Sequence, residues 1–160
     1  MRFNSLKIEK TISDNLCNLI SENNLSKIKF ILAISGGIDS IVLLDFILKI
    51  KIKKQFDLSL FHMNYNMHYK SDKMENLCKK IANDNKVPIY IKKINSKNLF
   101  KNKNIEAKAR YARYEELKTI CKKNKINYVL TAHHEDDQIE TIYMSNKINK
   151  SSWVSQIGIR

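Results

Sequence analysis

Two rhythms of apolar residues divide the chain. Phe3, Leu6, Ile12, Leu16, Leu19 and Ile20 fall largely on one face of a 3.6-residue repeat, which predicts an amphipathic helix over 3–22. The run Ile28-Lys29-Phe30-Ile31-Leu32-Ala33-Ile34 is nearly continuous and reads as a buried strand. Helical spacing returns with Ile41, Leu44 and Leu48, to about Ile50, and residues 56–63 then alternate well enough for a second strand. Asp72 with Glu75 three residues on resembles a capping box that opens a helix to about Asn85. The only proline, Pro88, introduces Ile89-Tyr90-Ile91, a short third strand. A helix over 105–123, a fourth strand over 126–131 and a last helix over about 136–147 complete the series.

Strands that alternate with helices predict an α/β fold, a parallel sheet with helices on both faces. Right-handed crossovers then reverse the strand order beside the first strand and open a crevice at the strand carboxyl ends. Ser35 and His133 are both expected at that edge. The 160 residues suit one domain, and 43% hydrophobic content suffices for a core. No apolar run approaches the roughly 18 residues of a membrane helix, and no signal-peptide pattern opens the chain, so a cytoplasmic protein is expected.

Cys17, Cys78 and Cys121 are odd in number, far apart and without a C-x-x-C pair, which suits reduced thiols packed in helices. The net charge of +13 favours nucleic acid modestly, because an abundance of Lys, Asn and Ile together also follows from coding bias.

Glycine narrows the search for chemistry. The chain has three, and two are adjacent in Ser35-Gly36-Gly37-Ile38-Asp39-Ser40, where the first strand ends and the next helix begins. Without Cβ atoms, successive N–H groups can converge on an anion, and the helix start adds about half a positive charge. Ser35 and Ser40 add hydroxyls, and Asp39 a carboxylate able to hold Mg²⁺. The plainer reading is a tight turn with Asp39 or Ser40 as an N-cap. A Walker loop and a dinucleotide fingerprint are both excluded by the glycine and lysine pattern.

Two more segments carry candidate groups. His133-His134-Glu135-Asp136-Asp137-Gln138-Ile139-Glu140 follows the fourth strand; in a helix, Asp137 and Glu140 share a face, though acidic residues also simply suit a helix start. Zinc is disfavoured because H-E-x-x-H is not completed. Glu106, Arg110 and Arg113 form an i, i+4, i+7 stripe, for which surface ion pairing is the plain account.

In order and spacing, the loop 35–44, the stretch 106–114 and the stretch 133–141 closely resemble the catalytic domain of the tRNA(Ile)-lysidine synthetase family, within the ATP-pyrophosphatase superfamily. The resemblance covers about residues 28–148. It implies a Rossmann-like sheet of the adenine nucleotide alpha hydrolase kind in a single domain over 1–160. Ala132 replaces a usual glycine, and His62-Met63-Asn64-Tyr65-Asn66-Met67-His68 keeps only His62 and Asn64 of an H-x-N-H-G-L-R-like stretch. Family members usually continue into C-terminal tRNA-binding domains, which are expected to be absent here, so a partner chain is one source of the missing grip.

The implied reaction uses ATP and Mg²⁺ to adenylate an anticodon cytidine of tRNA(Ile), after which free lysine displaces AMP. Ser35, Gly36, Gly37, Ile38, Asp39 and Ser40 would receive the pyrophosphate, with Asp39 on the metal. Asp137 and Glu140 would attract the lysine ammonium, His133 would act as its base, and Arg110 or Arg113 would meet phosphate or cytosine. The alternatives are a thiolation enzyme using the same loop, which generally brings paired or catalytic cysteines, and an ATP- or RNA-binding module without turnover.

Overall fold

The computed structural model describes residues 5–22, 28–94, 105–132, 139–143 and 155–157. In chain order the elements are α1 (Ser5–Glu22), β1 (Lys29–Ala33), α2 (Ile38–Lys53), β2 (Asp57–Asn64), α3 (Ser71–Asp84), β3 (Ile89–Lys93), α4 (Ile105–Asn124), β4 (Tyr128–Ala132), β5 (Ile139–Tyr143) and β6 (Ser155–Ile157). The strands form one sheet in the order β3-β2-β1-β4-β5-β6. Its first four members are parallel, and β5 and β6 extend it antiparallel.

Pleating sorts the strand residues into two cores. Phe30, Leu32, Leu58, Leu60, Tyr128 and Leu130 pack with Ile12 and Leu16 of α1, Leu43, Leu44, Ile47 and Ile50 of α2, and Cys78 and Ala82 of α3. The alternate residues Ile31, Phe61, Met63 and Val129 pack with Leu117 and Cys121 of α4. Helices therefore cover both faces, as the βα alternation predicts. Near-continuous apolar sequence in β1 follows from burial on both sides. On the first face, Phe30 stacks on Tyr128 at 5.2 Å between ring centroids and meets Phe56 edge-on at 5.1 Å.

The strand order reverses beside β1. From β1 the chain builds outward through β2 to β3, then returns to place β4 on the other flank. The carboxyl ends of β1 and β4 are thus neighbours at the reversal, which is where open α/β sheets place ligands.

One expected element is overturned. Over 139–143 the chain is the strand β5, where a helix over 136–147 was expected. Ile139, Thr141, Ile142 and Tyr143 are β-branched or aromatic, and the edge of β4 offers unpaired backbone groups that a strand satisfies and a helix cannot. Glu140 sits opposite Thr131 in that ladder, so the shared helix face with Asp137 does not hold at residue 140. Residues 133–138, with His133 and Asp137, and residues 144–150 lie outside the described residues.

Leu32 is fully buried in the central strand, whereas Ile52 near the end of α2 is 86% exposed. Leu32→Ala should lower unfolding free energy by about 2 to 5 kcal/mol. Ile52→Ala should change it by less than about 0.5 kcal/mol. Urea unfolding of the two variants checks both values, and equal effects would contradict this assignment of the core.

Candidate active site at the strand-order reversal

The glycine turn leaves β1 at Ile34, and both polar groups of Ile34 are held by β2. Its N–H donates to the Phe61 carbonyl at 2.8 Å, continuing the parallel ladder. Its carbonyl lies 2.9 Å from Nδ1 of His62, which must be the donor because a carbonyl only accepts. That contact fixes the tautomer with the proton on Nδ1. The Cys78 thiol lies 3.4 Å from the same nitrogen and shares the proton as a weak acceptor. Burial pushes the Cys78 thiol up to about 11, with Glu75 adding to the rise, so it stays a neutral packing group. Cys121 on the opposite face is pushed by burial to about 12.

Beyond Ile34 the loop closes on itself through two serines. The Ser40 hydroxyl donates to the Gly37 carbonyl at 2.8 Å, which uses its only proton. The Ser40 oxygen is therefore the acceptor for the Ser35 N–H and for the Ser35 hydroxyl, each at 3.3 Å. Ser35 Oγ in turn accepts from the Gly37 N–H at 3.1 Å. Gly37 rather than Asp39 or Ser40 occupies the N-cap of α2, with no side-chain cap bond. The first helical turn is thus not shielded by a capping side chain, and Ser40 within that turn lines the crevice.

The two glycines serve different needs. Gly36 has φ +85°, and a Cβ there would approach Met74 Sδ of α3 at 3.1 Å and Cys78 Sγ at 3.5 Å. Gly37 has φ −78°, ordinary for any residue, but a Cβ on it would meet Ser35 Oγ at 3.2 Å. Gly36 is required by backbone conformation and close packing, Gly37 by the space its hydroxyl neighbour occupies.

The crevice, with a cavity of about 60 Å³, is walled by Ser35, Ser40, Ala33 and Ile34 from the β1 side and by Thr131 and Ala132 from β4. Met63 and Tyr65 of β2 and its following loop, with Arg113 of α4, close it from the other face. The Tyr65 hydroxyl donates to the Ala109 carbonyl at 3.1 Å and ties α4 to the end of β2. Burial raises the Tyr65 phenol, and the Arg113 guanidinium pulls it back down. Arg113 Nε is buried without a hydrogen-bond partner among the described residues. An orphaned guanidinium N–H on a wall shared with two hydroxyls and a helix N-terminus fits an anionic oxygen. Arg110 is exposed one helical turn earlier, with its guanidinium 5.6 Å from the Tyr114 ring.

Asp39 stands exposed in the first turn of α2, so a metal held there would be bound at the solvent rim. Among the described residues no three His, Cys, Asp or Glu side chains gather as a metal cage. One carboxylate still fits magnesium, which keeps waters and takes its remaining ligands from phosphates.

A larger cavity of about 310 Å³ opens at the amino ends of the strands, lined by Lys29, Lys51, Asp57, Tyr90 and Asn124 among others. It has no glycine loop, and α2 and α4 end there, presenting the negative poles of their dipoles. The smaller crevice has the better chemistry for an anion.

The capping box expected at Asp72 and Glu75 is replaced by a different use of the same residues. α3 opens at Ser71, with Lys70 at its N-cap and no side-chain cap bond. Asn64 Nδ2 donates to Asp72 Oδ1 at 3.0 Å and to Glu75 Oε2 at 2.8 Å. Hydrogen bonds from Lys93 to Asp72 and from Lys79 to Glu75, with those from Asn64, hold both carboxyls below their ordinary range. Buried Asn64 can recruit both side chains more effectively than two free N–H groups at a solvated helix start. His62 and Asn64 were visible only as residual family pattern. Their physical signal is that they continue the inward stripe of Leu58 and Leu60 with polar residues at a strand's carboxyl end.

With that geometry in view, the molecule is an α/β nucleotide-site domain, and the comparisons agree. The PP-loop domain family model matches residues 8–155, so the chain belongs to the PP-loop family. It is 41% identical over 118 residues to the tRNA(Ile)-lysidine synthase of Buchnera aphidicola subsp. Acyrthosiphon pisum, covering 74% of this chain and 26% of that protein. The same enzyme of Buchnera aphidicola subsp. Schizaphis graminum is 44% identical over 126 residues, covering 78% and 27%. The bifunctional protein TilS/HprT of Listeria monocytogenes is 33% identical, covering 72% and 18%. The chain thus spans about a quarter of the length of the two Buchnera relatives. Among solved structures, the U34-tRNA thiolase NcsA of Methanococcus maripaludis shares the fold, with TM-score 0.59 and 17% identity, over 69% of this chain and 40% of that one.

Gly36→Ala should lose about 1 to 2 kcal/mol through the left-handed backbone alone. It should also weaken ATP binding, whereas Gly37→Ala should keep the fold and weaken binding by displacing Ser35. Thermal melts beside nucleotide titrations check this, and a stable, normally binding Gly36→Ala would contradict the loop geometry.

His62→Ala leaves the Ile34 carbonyl without its side-chain donor and should cost about 1 to 3 kcal/mol, with weaker ATP binding. Chemical unfolding and an ATP titration test it; unchanged values in both would remove His62 from the support of the loop.

Proposed function

We propose that this chain is the ATP-binding catalytic domain of a lysidine-forming tRNA-modifying enzyme. The observation that carries the reading is the anion-ready crevice at the β1/β4 reversal, where the serine-locked loop faces the orphaned Arg113 Nε. The names of the two Buchnera relatives, at 41% and 44% identity, supply the substrate class.

In this reading ATP lays its β and γ phosphates against the N–H groups of Gly36 and Ile38, while the Gly37 N–H and the Ser35 and Ser40 hydroxyls exchange their bonds within the loop for bonds to phosphate oxygen. Asp39 would hold Mg²⁺, which when bound would supply positive charge against the phosphates. The cytidine C2 oxygen attacks the α phosphorus, the bond to the β-phosphate bridging oxygen breaks, and pyrophosphate leaves. Arg113, directed from α4, stabilises the anionic α phosphate, and Arg110 at the exposed end of the same wall meets RNA phosphate. The ε-amine of lysine then attacks C2, AMP leaves, and the amine proton passes to a base. His133 is assigned that role, with Asp137 and Glu140 drawing in the lysine ammonium. In sequence His133 and Asp137 fall between β4 and β5, and Glu140 is in β5 opposite Thr131.

Lysine and tRNA(Ile) are the substrates in this proposal, and the setting is cytoplasmic. Among the described residues no helix is long and apolar enough to cross a membrane. Further protein, in the same chain or a partner chain, would complete the grip on tRNA.

Incubation of tRNA(Ile) with ATP, free lysine and the protein should raise the mass of one anticodon cytidine by one lysine less one water. Asp39→Ala should abolish pyrophosphate release and this product while the protein still unfolds in one cooperative thermal transition. Normal pyrophosphate release by Asp39→Ala would remove that carboxylate from the mechanism, and a thiolated product in place of lysidine would overturn the substrate reading.

A further inference from the structure

The turn between β2 and α3 presents an aromatic ring to solvent on an unusually well-pinned backbone. The Ser71 N–H donates to the His68 carbonyl at 2.9 Å, closing a turn with Tyr69 and Lys70 at its two central positions. The His68 N–H donates back to Ser71 Oγ at 3.1 Å. Upstream, Asn66 adopts φ 51°, and its N–H donates to Asn64 Oδ1 at 2.8 Å. The other end of the same Asn64 amide grips Asp72 and Glu75. One buried side chain, 2% exposed, thus fastens both ends of the turn to the sheet.

On this rigid mount Tyr69 is 83% exposed, with Met67 and Met74 also exposed beside it in sequence. Folding gains almost nothing from a ring left in water, so packing does not account for the ring or for the bonds that fix its position. The local charge is positive. Lys70 Nζ lies 5.5 Å from the Tyr69 ring centroid, Lys73 is exposed, and the nearby carboxylate of Asp72 is neutralised by Lys93 at 2.8 Å. The turn also stands close to the crevice, because Met74 in the first turn of α3 lies against Gly36.

We propose that Tyr69 is a stacking platform for an unpaired nucleobase of the RNA substrate, with Lys70 and Lys73 meeting its backbone phosphates. This rests on the RNA-modifying reading above and names a contact for it. A π face flanked by ammonium groups is the chemistry that holds single-stranded RNA without needing a particular base. A base to be modified must leave its stack, and so must often its neighbour, which creates the partner such a ring accepts. Because the turn is fixed before binding, little ordering entropy opposes the contact. A protein partner would use the same ring without preference between RNA forms.

The test is fluorescence anisotropy with a labelled single-stranded 12-nucleotide RNA and with the same strand in a duplex. Tyr69→Ala should weaken single-strand binding about tenfold and leave duplex binding unchanged, while Tyr69→Phe should bind like the parent. Tyr69→Trp should show indole quenching on adding the single strand and none on adding the duplex. Equal losses for both RNAs, no loss for Tyr69→Ala, or an unquenched indole would overturn the proposal. The two readings fail separately: Tyr69-dependent single-strand binding without lysidine formation would sink only the enzyme assignment, and lysidine formation by Tyr69→Ala at an unchanged KM for tRNA would sink only the platform.

Discussion

The loop at the head of α2 can be an anion site only if its starting point does not move, and that constraint falls on the Ile34 peptide. β1 is buried on both faces, so its end is fixed laterally by packing. The remaining freedom is rotation of the last peptide, which the Phe61 carbonyl and the His62 ring remove from the two sides. Once Ile34 is set, Ser40 determines the curvature from Ser35 to Gly37, because its hydroxyl bonds three atoms of that segment. The course of the loop backbone is therefore set before any ligand arrives, which is the form of electrostatic help that costs least reorganisation.

The other face supplies the opposing wall. α4 is attached to the sheet through Leu117 and Cys121, and at its amino-terminal half through Tyr65 and the Ala109 carbonyl. That attachment brings Arg113 to the crevice. The two helical layers thus contribute different things: α2 a helix pole and hydroxyls, α4 a full positive charge. Their separation by the sheet edge is a result of the reversed strand order, and without it Ser35 and Arg113 would not share a cavity.

How far the sequence could be read depended on how local the signal was. The four parallel strands and the helices between them were readable because burial on both faces leaves long apolar runs, and because glycine is so scarce that Gly36-Gly37 stands out. Ser35, Ser40 and Arg113, far apart in sequence, line one crevice. The helix expected over 136–147 gave way to β5 because an exposed sheet edge is a nonlocal influence that outweighs a weak helical period. Asp72 and Glu75 matched a local pattern but answer to Asn64, eight and eleven residues away. His62 was similarly hidden, since what it does is defined by a carbonyl twenty-eight positions earlier.

In the function proposed above, ATP binds at the carboxyl end of β1, in the smaller of the two cavities described. Amide and guanidinium spectra of the ¹⁵N-labelled protein, recorded as a non-hydrolysable ATP analogue with Mg²⁺ is added, test it most directly. The account predicts the largest shifts at the Gly36, Gly37 and Ile38 amides and at Arg113 Nε. Shifts centred instead on Lys29, Lys51 and Asn124 would place the nucleotide at the opposite end of the sheet and contradict it.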